Sequence, residues 1–358
     1  MPAAAPYDAL LFLSFGGPEG PDDVLPFLRN VTRGRGIPDE RLASVGAHYA
    51  EFGGVSPING QCRALIAALA EDFAGNGLDL PIYWGNRNWR PFLADTVAEL
   101  AAAGKRRVLV FVTSAYSSYS GCRQYREDLA AAVTAVGPAA QELEFDRIRG
   151  YFDHPGFVEP MIRSTLAALN SLDEPLRAGA ELVFVTHSLP LSLAESSAYV
   201  AQHEAVRGLA ADGVERATGV SRTTGLAYCS RSGPPTQPWL EPDVSDYLRD
   251  RQAAGAPAVV VVPIGFVSDH MEVVYDLDTE AAATAAKLGQ PFARAATVGV
   301  DARFVAGIRD LVLEQAARAR GEQVSPAGLS DLGILPGRCP AGCCPNLRGP
   351  KPALCGSD

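Results

Sequence analysis

The sequence predicts an α/β protein made of two halves, each a parallel sheet with helices on both faces. Short apolar runs such as residues 182–185 alternate with longer segments of helical periodicity, which is typical of parallel sheets. The alternation pauses at residues 173–179 and then restarts. Each half opens with an apolar strand that ends in a polar turn. We therefore expect a duplicated structure of two such halves with a cleft between them.

The individual elements follow from local patterns. Strands are predicted where short runs rich in Val, Leu, Ile and Phe stop at turn residues, namely at residues 7–15, 80–84, 107–113, 142–148, 182–185, 225–229 and 258–262. Helices are predicted where apolar residues recur every three or four positions, namely at residues 22–30, 40–51, 61–76, 92–104, 123–136, 154–172, within 193–215, at 244–254, and from 270 and 303 onwards.

Pro, Gly and polar residues dominate from residue 322. We therefore expect an N-terminal half at 1–175, a C-terminal half at 176–321, and a cysteine-rich tail at 322–358 that lies outside the core. The glycine turn after the first strand lacks a full Gly-x-Gly-x-x-Gly pattern, which excludes a dinucleotide site there.

Composition excludes several classes of protein. The chain has 358 residues, a hydrophobic fraction of 47%, a net charge of -10 and a pI near 5.1. An acidic balance argues against binding to nucleic-acid phosphates. The longest apolar run, 256–266, is shorter than the ~20 residues of a membrane span. No signal peptide is evident, so we expect a soluble cytoplasmic protein.

The cysteines are unevenly placed. The seven are Cys62, Cys122, Cys229, Cys339, Cys343, Cys344 and Cys355. Because cytosolic proteins seldom hold structural disulfides, the four tail cysteines favour a metal or iron–sulfur site. A zinc site and free thiols are the alternatives.

One histidine and three carboxylates point to metal chemistry. His187 follows an apolar strand, at the edge of an open sheet where ligands bind. Asp269 is a candidate N-cap for a helix on which Glu272, Asp276 and Glu280 recur every four residues and share one face. Imidazole with carboxylate suits a divalent metal such as Fe2+. The alternatives are a histidine satisfied by backbone and an ordinary solvated acidic face.

Three further stretches suit a cleft. Residues 114–125 are dense in hydroxyls and aromatics, as expected for a pocket wall against a flat ligand; the alternative is a surface loop rich in Tyr and Ser. Residues 228–242, rich in proline, suit a stiff rim. The basic loop with Arg29, Arg33 and Arg35 is either an anion clamp or a solvated loop.

Together these stretches resemble the ferrochelatase family, which inserts Fe2+ into a porphyrin in haem biosynthesis. The matching motifs are LFLSFGGP (11–18), RGR (33–35), GGVSP (53–57), THSLP (186–190), SRSG (230–233), PWLEP (238–242) and PIGFVSDHMEVVYDLD (263–278). The likeness runs in order over about residues 7–314. It implies a chelatase-like fold of two Rossmann-like, doubly wound halves with a porphyrin cleft between them.

The resemblance implies that His187 and Glu272 bind the incoming iron and manage the pyrrole protons. Asp276 and Glu280 would continue an acidic metal path. A neutral His187 could accept a proton while Glu272 compensates the charge.

The resemblance also implies a porphyrin-binding surface. Ser56 and Tyr125 fall where the family contacts the propionates, with Arg33 in the neighbouring loop. Phe15 stands where some Gram-positive relatives have a tyrosine; lacking an oxygen, it should pack against the macrocycle. The arginines expected to suit the carboxylate arms are Arg29, Arg33, Arg35 and Arg123.

The tail resembles family members that carry a [2Fe–2S] cluster held by one cysteine of the body and three near the C-terminus. The implied ligands are Cys122, Cys339, Cys343 and Cys344, with Cys355 as a possible replacement. Because the cluster is remote in sequence from His187, we expect it to tie the tail to the body.

The first loop and the lack of an apolar membrane-binding extension favour the soluble, actinobacterial-type branch that uses coproporphyrin III and yields coproheme. The expected partners are coproporphyrin III, Fe2+ and, transiently, neighbouring haem-pathway enzymes, without nucleic acid or stable membrane insertion. The alternatives are a protoporphyrin IX ferrochelatase, a cobalt chelatase, and a haem or porphyrin carrier.

Overall fold

The computed structural model describes residues 3–34, 36–234 and 236–357. Within these ranges the strands are β1 (Ala9–Ser14), β2 (Ile82–Asn86), β3 (Arg107–Val112), β4 (Glu144–Arg147), β5 (Glu181–His187), β6 (Thr224–Cys229), β7 (Val259–Val262) and β8 (Phe292–Arg294). They form two four-stranded parallel sheets, ordered β2-β1-β3-β4 and β6-β5-β7-β8. The matching orders confirm the predicted duplicated α/β architecture.

The α-helices of the described ranges are α1 (Pro21–Val31), α2 (Asp39–Ala50), α3 (Ile58–Gly75), α4 (Leu93–Ala102), α5 (Gln124–Val136), α6 (Pro155–Ser171), α7 (Glu174–Arg177), α8 (Leu191–Glu195), α9 (Tyr199–Thr218), α10 (Val244–Ala253), α11 (Met271–Val273), α12 (Ala282–Lys287) and α13 (Ala302–Ala319). Two π-helices, Tyr119–Arg123 and Val274–Ala281, precede α5 and α12. A 3-10 turn spans Gly137–Ala140.

One hydrophobic core joins the two sheets. Leu10 of β1, Leu65 of α3, Phe184 of β5 and Ile308 of α13 belong to the same buried cluster. Helix α6 precedes the second sheet in the chain but packs against β7, β8 and α9, while α13 packs against α3. Chain segments therefore cross between the halves, and the domain bounds drawn from the sequence stay a prediction.

The central strands carry the strongest sequence signal because they are buried on both faces. The four valines of β7 are at most 1% exposed. Strand β8 was not predicted, since its three residues lie at a sheet edge and form no apolar run.

No helix in the described part of the chain has both the length and the apolar character that a membrane span requires.

Candidate active site

His187 is the last residue of β5, at the carboxyl edge of the second sheet. Its Nδ1 lies within hydrogen-bond distance of the carbonyl oxygen of Ser188. A carbonyl oxygen can only accept, so Nδ1 carries a hydrogen and the neutral ring presents its lone pair at Nε2. Nε2 is also the atom that faces Glu272.

A buried polar network lies beneath His187. The Tyr199 hydroxyl donates to the carbonyl oxygen of His187 at 2.8 Å and lies 2.7 Å from the hydroxyl of Thr186. Thr186 also lies 2.9 Å from Nε2 of His203, whose ring stacks on Tyr116 with centroids 3.6 Å apart. Burial lowers the pKa of His203 to about 3, so this ring stays neutral. Our sequence reasoning missed this network, because nothing in the spacing of its members marks it.

Glu272 lies between two histidines. Its Oε2 is 3.6 Å from Nε2 of His187 and 3.7 Å from Nδ1 of His270, and the carboxylate side chain is 51% exposed. The structure therefore brings together the two residues that the resemblance pairs, His187 and Glu272, and adds His270. The carboxylate also remains open to solvent on one side.

The three groups shift one another's pKa. Partial loss of hydrating water works to raise the pKa of Glu272, but the charge of His187, the hydrogen bond to it and the charge of His270 prevail and lower this pKa to about 2. Burial works to lower the pKa of His187, but the charge of Glu272 prevails and raises it. Burial and the charge of His187 lower the pKa of His270, against the charge of Glu272. Glu272 is therefore ionised, and His187 takes up a proton more readily than His270.

The helix that carries the carboxylates is not the regular α-helix predicted from the spacing of four. The short helix α11 continues into the π-helix Val274–Ala281, with wider i→i+5 hydrogen bonding. Asp276 lies in this π-helix and accepts a hydrogen bond from Ser230, which has a left-handed φ of 63°. Burial and the charges of Glu272 and Glu280 raise the pKa of Asp276 to about 7, against the Ser230 hydrogen bond. Glu280 is exposed.

The prediction that Asp269 is the helix N-cap is wrong, because His270 occupies that position. Asp269 instead pairs with Arg294 at 3.2 Å and accepts from the side-chain amide of Gln61 at 3.2 Å. Its backbone N–H donates to the carbonyl oxygen of the same amide at 2.8 Å. Since Gln61 belongs to α3, this pair of hydrogen bonds fastens the first half to the segment that carries His270.

The predicted macrocycle contacts lie at the carboxyl edge of the first sheet. Phe15 follows β1 and is partly buried, with its ring edge-on to Phe27 at 6.4 Å. The guanidinium of Arg87 lies 5.7 Å from the centroid of the Phe15 ring and 4.4 Å from that of Tyr125. Tyr125 is only 5% exposed and packs in the core of the first half. The structure thus connects Phe15 with Tyr125 through Arg87, a residue that sequence reasoning did not single out.

Ser56 lies close behind the glycine turn that follows β1. Its backbone N–H donates to the carbonyl oxygen of Pro18 at 2.8 Å, and the residue is 4% exposed. A Cβ on Gly17 would lie 2.8 Å from the Cβ of Ser56, which explains why glycine is needed at this close approach.

The four candidate arginines differ in their surroundings. Arg29 pairs with Asp39 at 2.6 Å, and Arg123 pairs with Glu127 at 3.2 Å and is buried. Arg33 is exposed and bonds to Asn30 within its own loop. Arg35 lies outside the described residues. The structure thus ties two of the four into local ion pairs.

Four cysteine sulfurs converge where the tail meets the body. Cys122, Cys339 and Cys344 form a buried cluster against which Cys343 packs. The Sγ atoms of Cys122 and Cys339 are 3.9 Å apart, and those of Cys343 and Cys344 are 3.7 Å apart. Cys122 also contacts Cys344, and Cys343 contacts Cys339, which closes a ring of four sulfurs. The expectation that the whole tail lies outside the core is wrong here, since Cys339 and Cys344 are 3% and 4% exposed.

A buried arginine adjoins this ring. Arg147 donates from Nη1 to the sulfur of Cys122 at 3.0 Å and from Nη2 to that of Cys339 at 3.8 Å. Hydrogen bonds from Cys339 and Cys344, with the charge of Arg147, hold the pKa of Cys122 well below its ordinary value. Cys355 lies apart, with its thiol donating to the carbonyl oxygen of Phe145 at 3.4 Å. Across the described ranges, no group of three or more His, Cys, Asp or Glu side chains is arranged to hold a single metal ion.

Comparisons with solved structures support the fold. The chain superposes on SirB from Bacillus subtilis with Fe3+ at a TM-score of 0.51 and 11% identity, covering 87% of this chain and 97% of that one. A second match is the sirohydrochlorin chelatase SirB of Bacillus subtilis subspecies spizizenii in complex with cobalt, with a TM-score of 0.50, 11% identity and the same coverage. At this identity the likeness concerns the fold alone.

Sequence comparisons establish the family. A sequence model described as Ferrochelatase matches residues 7–316. The coproporphyrin III ferrochelatase of Streptomyces coelicolor is 59% identical, over 99% of this chain and 97% of the relative. The coproporphyrin III ferrochelatase of Frankia alni is 57% identical, over 98% of this chain and 90% of the relative. A ferrochelatase of Rhodopirellula baltica is 47% identical, over 95% of this chain and 93% of the relative. The chain belongs to the ferrochelatase family of metal-chelating lyases.

Proposed function

We propose that this ferrochelatase inserts Fe2+ into coproporphyrin III and yields coproheme in haem biosynthesis. The observation that carries the proposal is the His187–Glu272 pair, with Nε2 and Oε2 3.6 Å apart at the carboxyl edge of the second sheet. The choice of porphyrin rests on the relatives of 59% and 57% identity, both coproporphyrin III ferrochelatases.

The pair suits the proton balance of the reaction. Insertion releases two pyrrole N–H protons as Fe2+ takes their place. With Nδ1 bound to the Ser188 carbonyl, Nε2 of His187 has the lone pair that accepts one proton or faces the metal. The negative charge of Glu272 stabilises the imidazolium. The second proton leaves through Asp276 to water while Glu272 stays ionised, and the pKa of Asp276, about 7, suits both uptake and release near neutrality.

The carboxylates also suit delivery of the metal substrate. Glu280 is exposed, Asp276 is partly buried, and Glu272 adjoins His187. Iron(II) arriving as a hydrated ion would exchange water for carboxylate oxygens in short steps and then meet the imidazole. Two protein ligands suit delivery better than storage, since they leave most coordination positions to the porphyrin nitrogens.

The porphyrin would lie between the edges of the two sheets. In this proposal Phe15 packs against the macrocycle, and Ser56, Tyr125 and Arg33 form the propionate side of the cleft. The partial exposure of Phe15 and its contact with Arg87 support this arrangement. Tyr125 would need to rotate out of the core to use its hydroxyl directly.

The cysteine ring suits a [2Fe–2S] cluster as a resident group. Such a cluster takes four thiolates, and four sulfurs converge here beside the guanidinium of Arg147. In this proposal Cys122, Cys339, Cys343 and Cys344 hold it rather than Cys355, whose thiol donates to the carbonyl oxygen of Phe145. The cluster would join residues 322–358 to the N-terminal half, 1–175, and leave insertion to the half at 176–321. The cytoplasmic location and the contacts with pathway enzymes stay predictions.

Anaerobic turnover tests the proposed function. The purified protein is mixed with Fe2+ and either coproporphyrin III or protoporphyrin IX, and the loss of free-porphyrin fluorescence is followed. Faster insertion into coproporphyrin III supports the proposal, and faster insertion into protoporphyrin IX overturns the choice of porphyrin. Tight binding without insertion of iron into either porphyrin favours a carrier, and insertion of Co2+ alone favours a cobalt chelatase.

Variants test the residues in the same assay. His187→Ala removes the proton acceptor and should slow insertion by about 10²-fold or more while porphyrin affinity is kept. Glu272→Gln should also slow insertion. The control is Glu99→Gln, which neutralises an exposed carboxylate on α4 and should leave the rate unchanged.

A further inference from the structure

The C-terminal tail forms one wall of a polar groove in the first half of the molecule. We call it the tail groove, a cavity of about 380 Å³ between the loop after α1, the loop after β2, the π-helix before α5 and the tail. Its cations come from three separate segments: Arg33, Arg87, Arg348 and Lys351. Four cations around one cavity stand out in a chain whose net charge is -10.

These cations are only partly neutralised. Asp128 lies in the groove and pairs with Arg87. Arg348 and Lys351 are exposed and form no ion pair with any residue that the structure describes. The groove thus offers excess positive charge, which suits a carboxylate.

The tail is held in this position by α5 and by the last residue of the π-helix before it. Arg123 donates to the carbonyl oxygen of Lys351 at 3.1 Å, and Arg126 donates to that of Leu354 at 2.6 Å. The amide of Asn346 bonds to Glu127 at 3.1 Å. The backbone around Arg348 and Lys351 is therefore fixed, so their charges stay at the groove.

The groove shares Arg87 with the surface assigned above to the macrocycle. Arg87 lines the groove and also contacts the ring of Phe15. Asn88, the next residue, donates its backbone N–H to the carbonyl oxygen of Phe15 at 3.0 Å. A planar ligand packed on Phe15 would reach the groove with a side arm of a few bonds.

We propose that the tail groove binds a carboxylate arm of the porphyrin and that Arg348 and Lys351 are specificity-determining residues. This inference rests on the proposed function, because it requires a porphyrin with carboxylate arms next to Phe15. It gives the tail a role in recognising the substrate that is separate from holding a cluster. Arg33 and Arg87 supply the opposite wall.

Porphyrin affinity is the direct test. The double variant Arg348→Gln/Lys351→Gln is compared with wild type and with the control Arg338→Gln/Lys287→Gln, which removes two cations outside the groove. Binding of coproporphyrin III and of its uncharged tetramethyl ester is titrated by fluorescence in dilute non-ionic detergent. Because the double variant loses two exposed charge pairs with the ligand, its affinity for coproporphyrin III should fall about three- to tenfold. The affinities of wild type and the double variant for the ester should agree within about twofold. The binding of coproporphyrin III by the double variant should depend less steeply on salt than that of wild type.

The outcomes separate this inference from the proposed function. If the double variant binds coproporphyrin III as wild type and control do, the groove does not hold a carboxylate and the inference is wrong, while turnover still supports the function. An equal loss for acid and ester also overturns the inference, because it indicates a disturbed cleft. Absence of insertion by the wild-type protein would instead refute the proposed function.

Discussion

Replacing Tyr199 by Phe tests whether the network beneath His187 positions its ring. The change deletes only the hydroxyl, which is buried, donates to the His187 carbonyl at 2.8 Å and lies 2.7 Å from Thr186. A buried group left without its partner costs about 1–3 kcal/mol, so the free energy of unfolding should fall by that amount. If the displaced His187 ring raises the activation free energy of insertion by about 1 kcal/mol, insertion should slow about fivefold.

Two measurements separate positioning from general loss of stability. Denaturant unfolding gives the change in free energy, and anaerobic turnover gives kcat and KM. A positioning role lowers kcat and leaves porphyrin KM unchanged. The control is Tyr228→Phe, on the neighbouring strand β6, whose hydroxyl bonds to no side chain in the described ranges. Wild-type kcat for Tyr199→Phe, or an equal fall for Tyr228→Phe, would refute the reasoning.

Three further predictions concern the surroundings of His187 and the ring of four cysteines. Glu272→Gln removes the charge that raises the pKa of His187, so NMR titration should show the imidazole losing its proton at lower pH. In wild type, this pair stabilises the fold fully between the ordinary pKa values of glutamate, about 4.3, and histidine, about 6.5, and the contribution is lost as pH rises through the raised value of His187; the variant should lack that change. Gly265→Ala places a Cβ 2.1 Å from the Thr186 hydroxyl and should cost about 1–3 kcal/mol in denaturant unfolding, whereas unchanged stability would contradict the close packing. Cys122→Ser should abolish visible iron–sulfur absorbance, while Cys355→Ser should retain it; the reverse result would reassign the ligands.

The proximity of His187 and Glu272 could be predicted although 85 residues separate them. Each follows an apolar strand, and the carboxyl ends of parallel strands meet at one edge of a sheet. Strands β5 and β7 are direct neighbours, which brings the segments after them together. The same logic predicted both sheets, since buried parallel strands leave the clearest apolar runs.

Features set by tertiary contacts were beyond the sequence pattern. Asp269 has the residue type of an N-cap, but a partner 208 positions away, Gln61, binds its side chain and backbone instead. Carboxylates spaced four residues apart predict a helix, but this spacing does not reveal that the helix widens into the π-helix Val274–Ala281. From the sequence alone, the hydroxyl of Tyr199 could equally well have pointed to solvent or bonded to Thr186. Such choices depend on which buried polar groups need partners.

The two substrates carry opposite charge, and the molecule separates the groups that suit each. The carboxylates of Glu272 and Asp276 lie beside His187 in the second half, while the tail-groove cations, among them Arg348, lie against the first half. If both sets adjoined one another, they would form ion pairs and lose their attraction for iron and for the porphyrin arms. A macrocycle packed on Phe15 would stand between them. The acidic net charge of the chain therefore says little about its ligands, because the local charge is negative near His187 and positive at the tail groove.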